Sequence, residues 1–438
     1  MSGVGPNMLM TAGAQGALGG VRFSIMPQLA MNANRDHPTF VSGDAARNRF
    51  ASPFYYGNFS ADLPSRPGDG ALLRVAPGES GAWWSNPRAF VGLLSTTPEW
   101  GPPAGTSTND HQGPRGEGLV LGHSAPGLPR VELAYSWRPV SPANVLRLRW
   151  LTGRARESDW FDDEPRNDSR ILSGARVEFD RAGWLRAGAA RTVMSPSGRG
   201  TLVAAMQPLG RARSDSVIDF LSADVLFDLE EPGTTGWIEL ARQAPIRSAR
   251  DFFRLPTEGI AFRLGLMQRL SSSTDAEWSL TVEAVRLDQS GTREGVIPND
   301  LYTSSTVIQG WTHRGQPLGS GLGPGGQQQV GRIDRAGRVW RLAVFAERVR
   351  RNEDAMFRED APASDRHDVT LEAGVSAARR VGVYDVSARI SGGRRFNYLF
   401  QGPGATSGNG PVDLGVLRVG LSLSPAHAFS IVRPTPKS

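Results

Sequence analysis

Ala276-Glu277-Trp278-Ser279-Leu280-Thr281-Val282-Glu283-Ala284-Val285-Arg286-Leu287 changes character at almost every residue. Trp278, Leu280, Val282 and Ala284 fall on one side, and Glu277, Ser279, Thr281 and Glu283 on the other. A helix would gather its apolar residues three and four apart; a spacing of two belongs to a strand with two unlike faces. The pattern recurs along the chain. Val131, Leu133, Tyr135 and Trp137 oppose Glu132, Ala134 and Ser136. Leu146, Leu148 and Trp150 oppose Arg147 and Arg149. Tyr384, Val386, Ala388 and Ile390 oppose Asp385, Ser387 and Arg389, and Leu417, Val419, Leu421 and Leu423 oppose Arg418, Gly420 and Ser422.

Further strands are expected at 20–31, 71–84, 170–180, 184–194, 217–229, 235–243, 258–270, 306–314, 337–348, 367–378 and 393–401. Many approach the length a tilted strand needs to cross a bilayer, about 9–11 residues. Trp137, Trp184, Trp278 and Phe400 stand near strand ends, as an interfacial aromatic girdle requires. The connections are of two sizes. Asp180-Arg181-Ala182-Gly183 and Arg379-Arg380-Val381-Gly382 are short turns. The stretches 96–127, 152–169, 288–305, 315–336, 349–366 and 402–413 are long and rich in Gly, Pro, Asp and Ser. The reading is all-β: a transmembrane antiparallel β-barrel of about 16–18 strands, with short periplasmic turns, long extracellular loops and a wet lumen. A soluble all-β protein such as a propeller is the competing arrangement, against which stands the lack of a shared repeat of about 40–50 residues.

Composition fits this reading. Hydrophobic residues make up 39% of the 438-residue chain, and mean hydropathy is -0.31. No stretch of about 18 apolar residues offers a membrane helix. Cysteine is absent, which removes disulfides, thiolate metal sites and a cysteine nucleophile. The net charge of +6 comes almost wholly from arginine, with Lys437 the only lysine. These arginines are dispersed and locally balanced by acids, unlike the clustered basic face of a nucleic-acid binder. They suit a polar barrel face, or a lumen selecting acidic ligands. Residues 1–438 form one domain. Met1–Gly20 has no basic segment followed by an apolar core. The expectation is therefore a chain lacking its signal peptide and true N-terminal segment.

Chemistry-bearing motifs are weak. The glycines after Arg314 are followed by no Gly-Lys-Ser/Thr, so they are read as loop and not as a phosphate cradle. His37, His111, His123, His313, His367 and His427 show no metal-ligand spacing. Asp159, Asp162, Asp163 and Glu164 form an acidic run in a loop, best read as solvated. Trp83, Trp84, Trp100, Trp160 and Trp311 lie in or beside loops, where aromatic faces can stack on sugar rings or serve packing. No catalytic constellation and no cofactor site emerge.

Six stretches taken together resemble a known family: ADLPSR at 61–66, PGES at 77–80, TTPEWGP at 96–102, LVLGHSAPGLP at 119–129, WLRAGAARTVMSPSGR at 184–199 and YTSSTVIQGWTHRGQPLG at 302–319. In this order they are similar to the capsule assembly Wzi family of outer-membrane proteins, over about residues 20 to 350. The Arg66-Pro67 pair and the polar tail 433–438 depart from the family pattern. The resemblance implies a monomeric barrel of about eighteen strands in the bacterial outer membrane. It implies a non-catalytic role in binding or organising capsular polysaccharide at the cell surface, with no nucleic-acid partner. The expected carbohydrate contacts are Trp100, Arg115, Trp311 and Arg314, with His313 as a hydrogen-bonding partner. The alternative reading is a porin-like channel for anionic solutes.

Overall fold

The structure, a computed structural model, describes residues 7–11, 14–18, 20–25, 28–32, 72–76, 80–86, 88–95, 100–101, 118–122, 127–137, 143–156, 169–196, 206, 208, 217–229, 231, 233–243, 260–273, 276–287, 301–304, 310–313, 316–351, 353, 367–382, 384–397 and 413–425. In chain order the first strands are β1 (Asn7–Thr11), β2 (Ala14–Leu18), β3 (Val21–Ile25), β4 (Gln28–Asn32), β5 (Leu72–Ala76), β6 (Ser80–Ser85), β7 (Ala89–Ser95) and β8 (Arg130–Trp137). There follow β9 (Asn144–Arg156), β10 (Ser169–Arg181), β11 (Leu185–Pro196), β12 (Ile218–Leu229), β13 (Thr234–Gln243), β14 (Ile260–Ser272) and β15 (Ala276–Arg286). The last are β16 (Thr312–His313), β17 (Gln316–Pro317), β18 (Gln327–Gly337), β19 (Trp340–Arg351), β20 (Asp368–Val381), β21 (Tyr384–Phe396) and β22 (Leu414–Pro425).

Seventeen of these strands make one barrel wall. Each neighbour in the ladder from β2 to β22 is antiparallel to the next, with β16 and β17 set apart as a small hairpin. The separate sheet β1–β4–β5 prolongs the start of the wall. Thr11 pairs with Gln28 and Ala14 with Ile25, so β1–β4 continues the register of β2–β3.

Connections alternate in length. Residues 182–184, 273–275, 338–339 and 382–383 join strands tightly, whereas 96–129, 287–326 and 397–413 separate them widely. Because the strands alternate in direction, the tight turns share one rim and the long connections the other. The β10–β11 turn shows how tightness is achieved. Ala182 and Gly183 both take positive φ, 52° and 80°, the twist that suits a short hairpin. Asp180 Oδ1 accepts the Gly183 N–H at 3.0 Å.

The wall is polar inside and apolar outside. On β8, Val131, Leu133, Tyr135 and Trp137 are exposed while Glu132 is buried. Arg263, Glu239, Arg176 and Glu283 are buried too, and Ile238, Leu240, Leu264 and Leu266 are exposed. A soluble sandwich buries its apolar face, so this inversion settles the choice left open by periodicity in favour of a barrel in lipid. Trp84, Trp137, Trp184, Trp278, Trp340 and Tyr384 all sit on the outside near the tight turns. Arginines back several of these rings: Arg181 lies 5.7 Å from Trp184, Arg335 6.0 Å from Trp278 and Arg379 5.2 Å from Trp340. The girdle expected from Trp137, Trp184 and Trp278 therefore exists at this rim; Phe400 lies outside the described residues.

Several strand boundaries differ from the sequence reading. Part of the segment read as flexible, Met1–Gly20, contains β1 and β2; Met8-Leu9-Met10 runs apolar without alternating, and β2 is mostly small residues. Of the segment 306–314, the described residues 310–313 lie outside the wall, with Thr312–His313 extended in β16; the rest lies outside the described residues. Gln327–Gly337, read as part of a long connection, is β18. Its outward row carries Gln329 and Gly331, so only Ile333 signals the apolar face. Tyr384–Phe396 is one strand and not two. Gly392 and Gly393 suggest a break, but a Cβ on Gly393 would meet the Leu371 carbonyl oxygen at 2.0 Å, so the neighbouring strand requires a glycine there.

Candidate functional site

The long connections β7–β8 and β15–β18 fold inward. Trp100, Leu119, Val120, Leu121 and Leu128 from the first meet Leu301, Tyr302, Trp311 and Leu318 from the second in one buried cluster. Wall residues complete it: Leu151 and Ala155 of β9, Leu172 of β10, Met194 of β11, Phe220 of β12, Ala261 of β14 and Val285 of β15. This apolar plug occupies the long-connection half of the lumen along β9–β15. Its cohesion has the origin of any core, the burial of apolar area, about 25 cal/mol per Å².

Hydrogen bonds fix how the two connections meet. The Trp311 indole N–H donates to the Val120 carbonyl at 2.8 Å. The Tyr302 hydroxyl donates to the Leu119 carbonyl and accepts the Ser320 N–H at 3.1 Å. The Gly122 N–H donates to the Leu318 carbonyl at 2.7 Å. Tyr302 takes φ of 72°, a conformation costly for a bulky residue. Its surroundings hold it: Gln243 Oε1 accepts its N–H at 2.6 Å, and the Phe220 ring lies 5.8 Å away. Gly319 must be glycine, since a Cβ would come within 2.3 Å of the Leu119 oxygen and 2.5 Å of the Tyr302 hydroxyl.

The plug is tied to the wall by polar contacts. Glu239 Oε1 on β13 accepts the Leu119 N–H at 2.9 Å. His313 Nδ1 accepts the Arg156 N–H of β9 at 3.0 Å, so this nitrogen carries no proton in that bond. The Trp100 ring covers Gly174 of β10, where a Cβ would fall 2.5 Å from the indole. Arg149 lies 5.9 Å from the Trp100 ring.

Against and below the plug the lumen is crossed by ion pairs. Arg176 binds Asp224 through both terminal nitrogens, at 2.6 and 2.9 Å. Arg263 bridges two acids, Glu283 at 2.9 Å and Glu239 at 3.6 Å, and Glu283 also accepts the Trp237 indole N–H at 3.0 Å. Glu132 takes both Arg130 and Arg149, at 3.0 and 2.7 Å. On the far side of the lumen, Arg395 pairs with Asp368 and Arg418 with Glu372. Each acid lies on a different strand from at least one arginine it binds, so the pairs lace the wall together, some between adjacent strands and two, Arg176–Asp224 and Arg418–Glu372, across an intervening strand. Buried charges of this kind are tolerable only when paired.

The residues singled out in the sequence fall into two groups. Trp100 and Trp311 are 3% and 0% exposed, so neither ring offers an open face for sugar stacking. Their aromatic area was legible; the direction it faces was not, because the plug depends on contacts between distant segments. His313 is 1% exposed and serves the wall contact just described. Arg115 and Arg314 lie outside the described residues, as do Trp160, the acidic run Asp159–Glu164, His37, His111, His123 and His427. The glycine-rich stretch is ordered packing: Gly323, Pro324, Gly325 and Gly326 are buried, and Gly325 accepts the Glu353 N–H at 2.8 Å. Sequence reasoning missed Tyr302, whose hydroxyl joins the two connections, and Glu239, the wall carboxylate that accepts the Leu119 N–H. Among the described residues no group of three His, Asp or Glu is placed to hold a metal.

No protein-family model matches this sequence, and no curated protein matches it. Solved structures do. Wzi, an outer-membrane protein involved in group 1 capsule assembly in Escherichia coli and a carbohydrate-binding β-barrel, aligns over 97% of this chain and 79% of its own. The TM-score is 0.62 at 11% identity. The outer-membrane protein OpdK of Pseudomonas aeruginosa aligns over 94% of this chain and 91% of its own, at 12% identity and a TM-score of 0.39. OccAB2 of Acinetobacter baumannii aligns over 95% and 91%, at 9% identity and 0.42. What is shared at such identities is the fold. This chain is a bacterial outer-membrane β-barrel, and its tight turns face the periplasm and its long connections the exterior.

Proposed function

We propose that this barrel binds surface polysaccharide at its exterior rim, without catalysis, and acts in capsule assembly. The observation that carries the reading is the plug. Two exterior connections are bonded to each other and to the wall, so they form a fixed base on the β9–β15 side of the outer mouth. A rigid base suits a surface that must present several weak contacts at once. The fold likeness to the carbohydrate-binding Wzi barrel supports the same reading. Within it, Trp100, Trp311 and His313 position the loops from below. Arg115 and Arg314, carried by the same two connections, pair with glycan carboxylates as bidentate donors. The barrel works as a monomer.

Retention of acidic capsular glycan on cells tests this. Replacing Arg115 and Arg314 together by alanine lowers retention several-fold, while the barrel still migrates as a heat-modifiable band. Unchanged retention in the double variant overturns the assignment. The porin reading makes a different claim, steady single-channel conductance with anion preference, and the filled lumen along β9–β15 argues against it.

A further inference from the structure

The outer surface of β14, β15 and β18–β21 is hollowed by a groove of about 1000 Å³. Most of the surface it exposes is apolar, and its outward side chains, Leu264, Leu266, Val282 and Leu371 among them, face the membrane. On the exterior-loop side of mid-wall, the outward row of cross-strand partners runs Gly331, Ala346, Ala373, Gly392. The next row towards the periplasm is Ile333, Val344, Val375, Ile390, all exposed and bulky. The next row towards the exterior is Gln329, Arg348, Leu371, Arg394. Large residues thus bound the hollow on both long sides, and Leu264, Leu266 and Val282 close one end.

Two arginines overlook it. Arg348 donates to the neutral Gln329 amide oxygen at 2.8 Å, and among the described residues it meets no carboxylate. Arg394 is exposed, lies 5.4 Å from the Phe396 ring and reaches Asp413 at 2.8 Å. A strand tilted by roughly 40° climbs about 2.5 Å along the barrel axis per residue. Counting from Trp340 and Tyr384 in the periplasmic girdle, Arg348 stands roughly 20 Å up and Arg394 roughly 25 Å up, at the outer limit of an apolar band about 25 Å tall. Cationic side chains at that depth are expensive in hydrocarbon and favourable beside anionic headgroups.

We propose that this groove docks one molecule of the phosphorylated, multiply acylated glucosamine lipid of the outer leaflet. Its acyl chains fill the hollow over Gly331, Ala346, Ala373 and Gly392. Its phosphates meet Arg348 and Arg394. The depth of the arginines selects this lipid over the phospholipids of the inner leaflet, whose headgroups lie at the opposite rim. The site is on the outer wall and is independent of the exterior rim proposed for glycan.

Native mass spectrometry of the purified barrel in neutral detergent, titrated with hexa-acylated bis-phosphorylated lipid A, tests it. The wild-type chain takes up one molecule saturably. Dephosphorylated lipid A binds at least tenfold more weakly, a comparison that needs no variant. Arg348→Ala with Arg394→Ala weakens bis-phosphorylated lipid A by a similar factor, and Ala373→Phe does so by filling the hollow. Absence of saturable uptake, equal affinity for the dephosphorylated lipid, or equal affinity for phosphatidylglycerol overturns the assignment. So does unchanged affinity in folded variants.

Discussion

The Leu119 amide and the Glu239 carboxylate, 120 residues apart in sequence, meet at 2.9 Å inside the barrel. Glu239 is thereby shared between the wall, through Arg263, and the plug. Glu239→Ala removes the tie and takes one carboxylate partner from Arg263. The variant is expected to keep its heat-modifiable migration and to show conductance openings in planar bilayers that the wild type lacks. Glu239→Gln keeps an acceptor for Leu119 and is expected to stay closed far longer. Identical quiet traces from all three chains contradict the role given to this residue.

Trp311 is buried on all sides, stands 4.8 Å from the Phe220 ring and donates to Val120. Trp311→Ala leaves a cavity and an orphaned carbonyl, a loss of about 3–5 kcal/mol within the plug. The wall does not depend on it. Limited proteolysis should therefore cut the exterior connections of the variant much faster, while urea unfolding of the barrel in lipid shifts little.

Gly319→Ala tests the closeness of the two connections, because its new methyl faces a backbone oxygen that cannot step aside. The expected cost is about 1–3 kcal/mol, the usual range for overpacking. Gly420→Ala, with nothing within 4 Å of the added carbon, is expected to be neutral. Comparing the two by the same proteolysis assay checks the contrast, and equal rates would refute it.

Ile238 on β13 faces lipid four residues above the start of its strand. Ile238→Arg places a guanidinium near the membrane midplane and is expected to cost about 2–4 kcal/mol. Val339→Arg, in the tight turn between β18 and β19, should cost about 0–1 kcal/mol because it sits at the interface. Reversible denaturation in lipid vesicles gives both values. Equal costs would mean that Ile238 does not face the bilayer core.

The wall was legible because its cause is local. Leu133 and Glu132 face opposite solvents, and the sequence shows that one residue at a time. Legibility failed where the outward residue was small or polar, as at Gly331 and Gln329 of β18, or where glycine looked like punctuation, as at Gly392–Gly393. The plug was not legible at all. Trp100 and Trp311 look like exposed loop tryptophans until Tyr302, Leu119 and Phe220 are brought beside them, and no short-range pattern records that meeting. Glu239 resembles every other acid on a lumen face; only its partner, an amide from a distant connection, distinguishes it.

The distances along the chain also set an order of events. Tyr302 reaches back 183 residues to Leu119, and Trp311 reaches back 191 to Val120. Loop closure over such spans gains nothing until β9 to β15 already stand as a curved surface. The exterior connections must therefore wait while the wall is laid down, with the ion-paired interior still wet on both sides. The nascent barrel is a water-filled ring that stoppers itself as its final act.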